Sequence, residues 1–248
     1  MAENNKNVNR SRRKFLKNTG YVAGGAIGGG ILGSLFGVNF SSQTSEVSTG
    51  TTEQAINHRH AFMFFTNKKD FDTLSAAVER IFPEDDNGPG AIALGVPFFI
   101  DHQLASGYGN NEREYMQGPF HTGTAYQGYQ ARLKRNEIFM LGIKALENES
   151  MSTHDLSFTE LEGEQQDEIL TKLENDDVKI KGIQLSAFFS MLRSATLAGV
   201  YADPLYNGNE NMDGWRMKEF PGHQMTYLDQ IENEDFVEIE PESLQSQH

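Results

Sequence analysis

The chain of 248 residues contains no cysteine. That excludes disulfides, thiolate metal centres, iron–sulfur ligation, covalent haem attachment through thioethers and a cysteine nucleophile. It also lacks a nucleotide fingerprint. The only clustered glycines lie in an apolar N-terminal run, so no strand, Gly-x-Gly-x-x-Gly turn and helix unit is present to hold a dinucleotide, and there is no phosphate-binding P-loop. The seven histidines include no pair four apart, and His58 and His60 would fall on different faces of a helix, as expected of surface or packing residues. Cations are scarce too. There are 21 lysines and arginines against 35 aspartates and glutamates, a formal net charge of −14. Six of those cations (Lys6, Arg10, Arg12, Arg13, Lys14, Lys17) stand in the first 45 residues against Glu3 alone, which leaves the remainder with 15 positive and 34 negative charges, a net of −19. A body so acidic argues against nucleic-acid binding, which needs clustered Lys and Arg to neutralise phosphate.

What is present begins with an address. Residues 1–17 are polar and basic, and no charge then appears between Lys17 and Glu46, a stretch that holds the apolar, glycine-rich run Gly20 to Phe40. Basic followed by apolar is the order of an export signal. At the junction Ser11-Arg12-Arg13-Lys14-Phe15-Leu16-Lys17 satisfies the twin-arginine pattern S-R-R-x-F-L-K, with Arg12, Arg13, Phe15 and Leu16 as its reading positions. No small-residue cleavage site follows, so residues 1–40 are expected to act as a twin-arginine signal or to remain as a membrane anchor of sufficient length. Glycines at four-residue spacing, Gly20, Gly24 and Gly28 and again Gly25, Gly29, Gly33 and Gly37, would give such a helix small faces. Residues 41–60 are rich in Ser, Thr, Gln and Glu and read as a linker.

The body, residues 61–227, reads as a single all-α domain. Phe71, Leu74, Val78, Ile81 and Phe82 fall at helical spacing, ended by Pro83 and the turn-rich run to Gly90. Further helices are expected at about 91–105, with Pro97 near a first turn or at a kink, at 129–149, within 158–174 and across 183–200. The last has a wide apolar face suited to the centre of a core. Period-two alternation is absent except around 235–239. Residues 228–248 form an acidic tail. Asn209-x-Asn211-x-Asp213-Gly214 imitates half of a calcium loop, but Phe220 occupies the position of its bidentate glutamate. The pairs Asp85-Asp86 and Asp176-Asp177 read as solvated turn formers rather than as paired catalytic acids.

One segment is unlike generic helix or loop. After the central helix come Gly199, Ala202-Asp203-Pro204, Tyr206, Gly208-Asn209, Gly214-Trp215 and Phe220-Pro221-Gly222, and Trp215 is the only tryptophan. This resembles the hallmark of the gluconate 2-dehydrogenase subunit 3 family, approximately G-x-x-A-D-P-x-Y-G-G-N-x-x-x-x-G-W followed by F-P-G, with Asn207 in place of the first paired glycine. Ile81-Phe82-Pro83-Glu84-Asp85-Asp86-Asn87-Gly88-Pro89-Gly90-Ala91 and the twin-arginine leader resemble the family as well. The resemblance implies a small helical accessory subunit without catalytic, cofactor-binding or metal-binding residues of its own. It would accompany a large FAD-dependent sugar or sugar-acid dehydrogenase out of the cytoplasm to the extracytoplasmic face of the membrane, often beside a haem-bearing cytochrome subunit. On that reading the translocation machinery reads the leader, and Asp203, Pro204, Tyr206, Gly208, Asn209, Gly214, Trp215 and Pro221 form a structural or partner-docking loop. Trp215 and Tyr206 either anchor that loop on its own core or insert into the partner. The alternative is an exported or membrane-tethered helical binding protein with no oxidoreductase partner.

Overall fold

The computed structural model describes residues 60–121, 123–124, 130–235 and 237–244. The signal or anchor helix expected within residues 1–40 lies outside the described residues. Among those described there are six α-helices: α1 (Lys68–Ile81), α2 (Val96–Ala105), α3 (Arg135–His154), α4 (Gly163–Glu174), α5 (Leu185–Val200) and the single turn α6 (Asp213–Arg216), joined by loops and short 3-10 turns. The described residues hold no strand, only isolated bridges. The expected all-α class is observed for them. No helix of the described residues is long and apolar enough to cross a membrane.

The boundaries of α1, α2 and α3 have identifiable causes. Asn67 caps α1 by accepting from the Asp70 amide at 2.8 Å, and Pro83 prevents continuation beyond Phe82. Helix α2 begins at Val96 rather than near residue 91, because Gly95 adopts a left-handed conformation (φ 73°) and Pro97 then occupies the first turn. Helix α3 is displaced towards the C-terminus of its expected span. Glu137 accepts from the Lys134 amide at 2.7 Å and Asn111 Oδ1 from the Arg135 amide at 2.8 Å, which fixes the start, while Asp155 in a left-handed conformation ends it. Its polar last turns look loop-like in sequence, yet they remain helical beside α4, where Lys172 reaches Glu149 at 3.1 Å.

Helix α5 is the centre, as its wide apolar face requires. It packs against α1, α2, α3 and α4, burying Leu185, Phe188, Leu192, Ala195, Thr196, Gly199 and Val200. Phe188 meets Phe139 of α3 edge to face, with centroids 5.6 Å apart. Charged groups inside the fold tie the helices together. Glu147 on α3 accepts from Thr73 Oγ1 at 2.8 Å, from Ser157 Oγ at 3.1 Å and from the Phe158 amide at 3.3 Å, and Lys69 lies 2.8 Å away. Burial alone would raise its pKa, but these donors outweigh it and hold the carboxyl below its usual range. Arg80 of α1 forks onto Asp167 of α4 at 2.9 and 2.6 Å.

Candidate functional site

Where α5 ends, the chain folds into a compact loop that contains Asp203, Pro204, Tyr206, Gly208, Asn209, Gly214, Trp215 and Pro221, the residues read as a structural or docking loop. Asp203 opens it. Its carboxylate accepts from the Leu205 amide at 2.9 Å, so that Pro204–Tyr206 forms a 3-10 turn with Pro204 buried. The chain then takes left-handed conformations at Asn207 (φ 70°), Asn209 (φ 50°), Asn211 (φ 56°) and Met212 (φ 62°). Asparagine is the side-chain-bearing residue that best tolerates this region, which explains how Asn207 can stand where the family pattern has glycine. Met212 has no such tolerance and is held by its neighbours.

Asn209 organises the loop. It is fully buried, donates from Nδ2 to the Ala202 carbonyl at 2.9 Å and accepts at Oδ1 from the Gly214 amide at 2.7 Å. One amide side chain therefore ties the end of α5 to the start of α6. Gly208 lies against the Gly199 carbonyl, and at Gly214 a Cβ would collide with the Val200 carbonyl oxygen, so the loop backbone presses directly on the last turn of α5. Trp215 is 6% exposed. Its Nε1–H donates to the Tyr201 carbonyl at 2.9 Å, satisfying a carbonyl at the helix end, and its ring meets Phe220 edge to face at 5.5 Å. The two aromatic residues thus separate in role. Trp215 is an internal anchor, whereas Tyr206 is 52% exposed, beside the exposed Leu205.

The loop is stitched to two other places. Asn207 Nδ2 lies 2.7 Å from His102 Nδ1, and His102 Nε2 lies 2.9 Å from the Ala61 carbonyl, so α2 joins the loop to the segment that leads into α1. Next to His102, fully buried Asp101 accepts three amides, from Met63, Phe64 and Phe65, at 2.6, 3.1 and 2.8 Å. The second attachment is to the C-terminal residues. Asp203 also accepts from Ser243 Oγ at 2.7 Å and from the Leu244 amide at 2.9 Å, and Gly222 (φ 70°) pairs with Glu242. Pro221 contributes its carbonyl, which accepts from the Glu242 amide at 3.1 Å and from Gln224 Nε2 at 2.9 Å. A Cβ on Gly222 would run into the Glu242 carbonyl oxygen and come within 2.7 Å of the Trp215 ring. Sequence reasoning missed Asp101, His102 and Ser243. The one visible signal was a lone acid directly after the apolar first half of α2.

Burial would raise the Asp203 pKa, but the Leu244 and Leu205 amides and the Ser243 hydroxyl more than offset it, and the net shift is downward from 3.8. A lowered carboxyl pKa means that the attachment is fully present above the unfolded-state value and is lost as pH falls through the folded one. We therefore expect the Leu244 amide resonance to keep its folded shift down to pH values below 3.8 in the native chain, and to move to an unfolded shift already at neutral pH in Asp203→Asn. A native chain that loses it well above that value would contradict the attachment.

The partial calcium pattern does not converge on an ion. Asn209 is committed to backbone groups, and Asp213 lies 3.2 Å from Arg216, whose guanidinium also donates to the Asn211 carbonyl. Among the described residues no group of three His, Asp or Glu is placed to hold a metal ion. Asp85 serves a turn, accepting from the Asn87 amide at 2.8 Å, and Asp176 holds the first turn of α5, accepting from the Ser186 amide at 2.9 Å. A hollow of about 570 Å³, lined by Phe120, Arg132, Ile138, Gly182 and Ala187 among others, opens at the N-terminal end of α5. A helix of 16 residues, roughly 24 Å at 1.5 Å per residue, separates it from the loop.

Among the described residues the fold and loop define a small all-helical domain whose most elaborate region closes the end of the central helix and ties it to α2 and to the C-terminal residues. Residues 68–222, more than half of the chain, match the family described as gluconate 2-dehydrogenase subunit 3, and the chain belongs to that family. Comparison with curated proteins and with solved structures gives no match.

Proposed function

We propose that the chain is the accessory, non-catalytic small subunit of an exported, membrane-associated, FAD-dependent gluconate or sugar dehydrogenase, to which it supplies the export signal and a docking surface. Family membership supports the subunit role. The observation that carries the docking surface is the division within the loop. Asn209 and Trp215 face inward and make it rigid, while Leu205 and Tyr206 stand exposed on it. A pre-organised loop with projecting apolar side chains suits binding, because little conformational freedom remains to be lost on association. FAD belongs to the large subunit on this reading, and haem to a further cytochrome subunit.

The test is co-expression of the tagged full-length chain with the large subunit of its complex, followed by purification from membranes. The expected result is recovery of the large subunit together with a flavin absorption spectrum, and a colourless preparation when the chain is expressed alone. Recovery of the chain without the large subunit, or flavin bound to the chain by itself, would refute the proposal.

Export is tested separately. Arg12→Lys with Arg13→Lys preserves charge but replaces the planar guanidinium pair. We expect the double variant, and the large subunit with it, to stay in the cytoplasm. Normal amounts of both outside the cytoplasm would show that the leader is not read as a twin-arginine signal.

A further inference from the structure

The family match stops at residue 222, and there the chain begins a strap that ends at Glu242. Both feet are fixed, by the pairing of Gly222 with Glu242 and by the grip of Asp203 on Ser243 and Leu244. Between them no described residue from Met225 to Glu242 is buried. The exposed side chains are nevertheless large and apolar. Met225 is 76% exposed, Leu228 70% and Ile231 70%, with Tyr227 and Val237 also open to solvent. Leu228 and Ile231 begin and follow a 3-10 turn, in which positions three apart eclipse one another, so these two fall on one side of it. Asp203 also brings the foot of the strap at Leu244 beside the exposed Leu205 of the family loop.

Charge narrows what can cover the strap. From Glu219 to the C-terminus there are eight acids and no lysine or arginine. Nucleic acid and anionic lipid surfaces carry the same sign, as does a second copy of a body with net charge −19. A protein surface with an apolar floor and a basic rim complements both features at once.

We infer that the strap between Gly222 and Glu242 is a docking element specific to this chain, which seats Leu228, Ile231 and their neighbours in a basic-rimmed apolar groove on the large dehydrogenase subunit. The inference rests on the proposed function for the identity of that partner. Fixing both feet holds the apolar side chains out in water without a core beneath them, and the acids steer and orient the encounter.

The experiment compares three full-length chains for capture of the purified large subunit: native, Leu228→Ser with Ile231→Ser, and Glu234→Lys with Asp235→Lys. Since no described residue from Met225 to Glu242 is buried, all three should melt alike. The serine variant is expected to bind about tenfold more weakly or worse, as for removal of apolar anchors. Native binding should weaken as salt rises from about 0.1 M to 1 M, where the screening length falls from roughly 10 Å to 3 Å, and the lysine variant should lose most of that salt dependence. Equal capture by all three overturns the strap inference and leaves the subunit assignment intact. Failure of the native chain to capture the large subunit removes the assignment, and the inference with it. Self-association, or binding to vesicles of phosphatidylcholine and phosphatidylglycerol, that disappears in the serine variant would also overturn it, in favour of a second copy or a membrane.

Discussion

Trp215→Ala is expected to lower the stability of the full-length chain by about 3–5 kcal/mol, the usual cost of deleting a large buried ring. The sequence allowed this residue two roles, in its own core or in the partner. Its 6% exposure and the hydrogen bond from Nε1–H to the Tyr201 carbonyl place it in the first. The loss has distinct parts. The cavity would open between the end of α5 and the Phe220-Pro221-Gly222 turn, the Tyr201 carbonyl would lose its donor, and Phe220 would lose its edge-to-face contact. Trp215→Phe separates these by keeping a ring while removing the N–H, and should cost about 1–2 kcal/mol. Urea denaturation followed by far-ultraviolet dichroism measures both. Because Gly222 packs against the Trp215 ring, the alanine variant should also loosen the foot of the strap and weaken capture of the large subunit as a consequence. Unchanged stability with weakened capture would instead show that the tryptophan acts at the partner interface.

The helical class and the approximate positions of α1 to α5 were legible because apolar spacing, Pro83 and Pro97 are local signals, whereas the single turn α6 was not expected. The boundaries moved where a distant residue supplies the cap. Arg135 begins α3 because Asn111, 24 positions earlier, accepts its amide hydrogen, and no local pattern announces that. Similarly, Gly95 sets the start of α2 because the chain there lies against the carbonyl of Asn207. The loop after α5 was legible as a unit through its family resemblance, yet the assignment of each residue was not. Asn209 and Tyr206 are both polar or amphipathic loop residues in sequence, and only tertiary packing makes one fully buried and the other exposed. The acidic C-terminal residues read as a tail because, apart from a brief alternation around 235–239, their acids carry no sustained helical or strand pattern. What brings Ser243 and Leu244 back to the body is one carboxylate, Asp203, forty residues away.

Asn209 offers the sharpest discrimination between a loop that merely tolerates its sequence and one built on a specific amide. In Asn209→Ala the Gly214 amide and the Ala202 carbonyl lose their partner at a site that is fully buried. Each unsatisfied buried group costs about 1–3 kcal/mol. Alanine also tolerates the left-handed conformation at φ 50° less well than asparagine. A total of about 3–5 kcal/mol is expected, comparable with the loss of the tryptophan. Asn209→Asp is the more telling variant, because it is nearly isosteric and retains an oxygen to accept from Gly214. Its second oxygen would face the Ala202 carbonyl, acceptor against acceptor, with a charge that burial disfavours. The aspartate variant should therefore be destabilised at neutral pH and should recover as pH falls and protonation restores a donor. Its carboxyl pKa in the folded state is raised above the unfolded value, so the relative gain appears below the folded pKa and is complete below the unfolded one. Thermal melts across that range measure the effect. An aspartate variant as stable as the native chain at neutral pH would mean that the donor to Ala202 is dispensable, and the loop would then be held by Trp215 and the close-packed glycines alone.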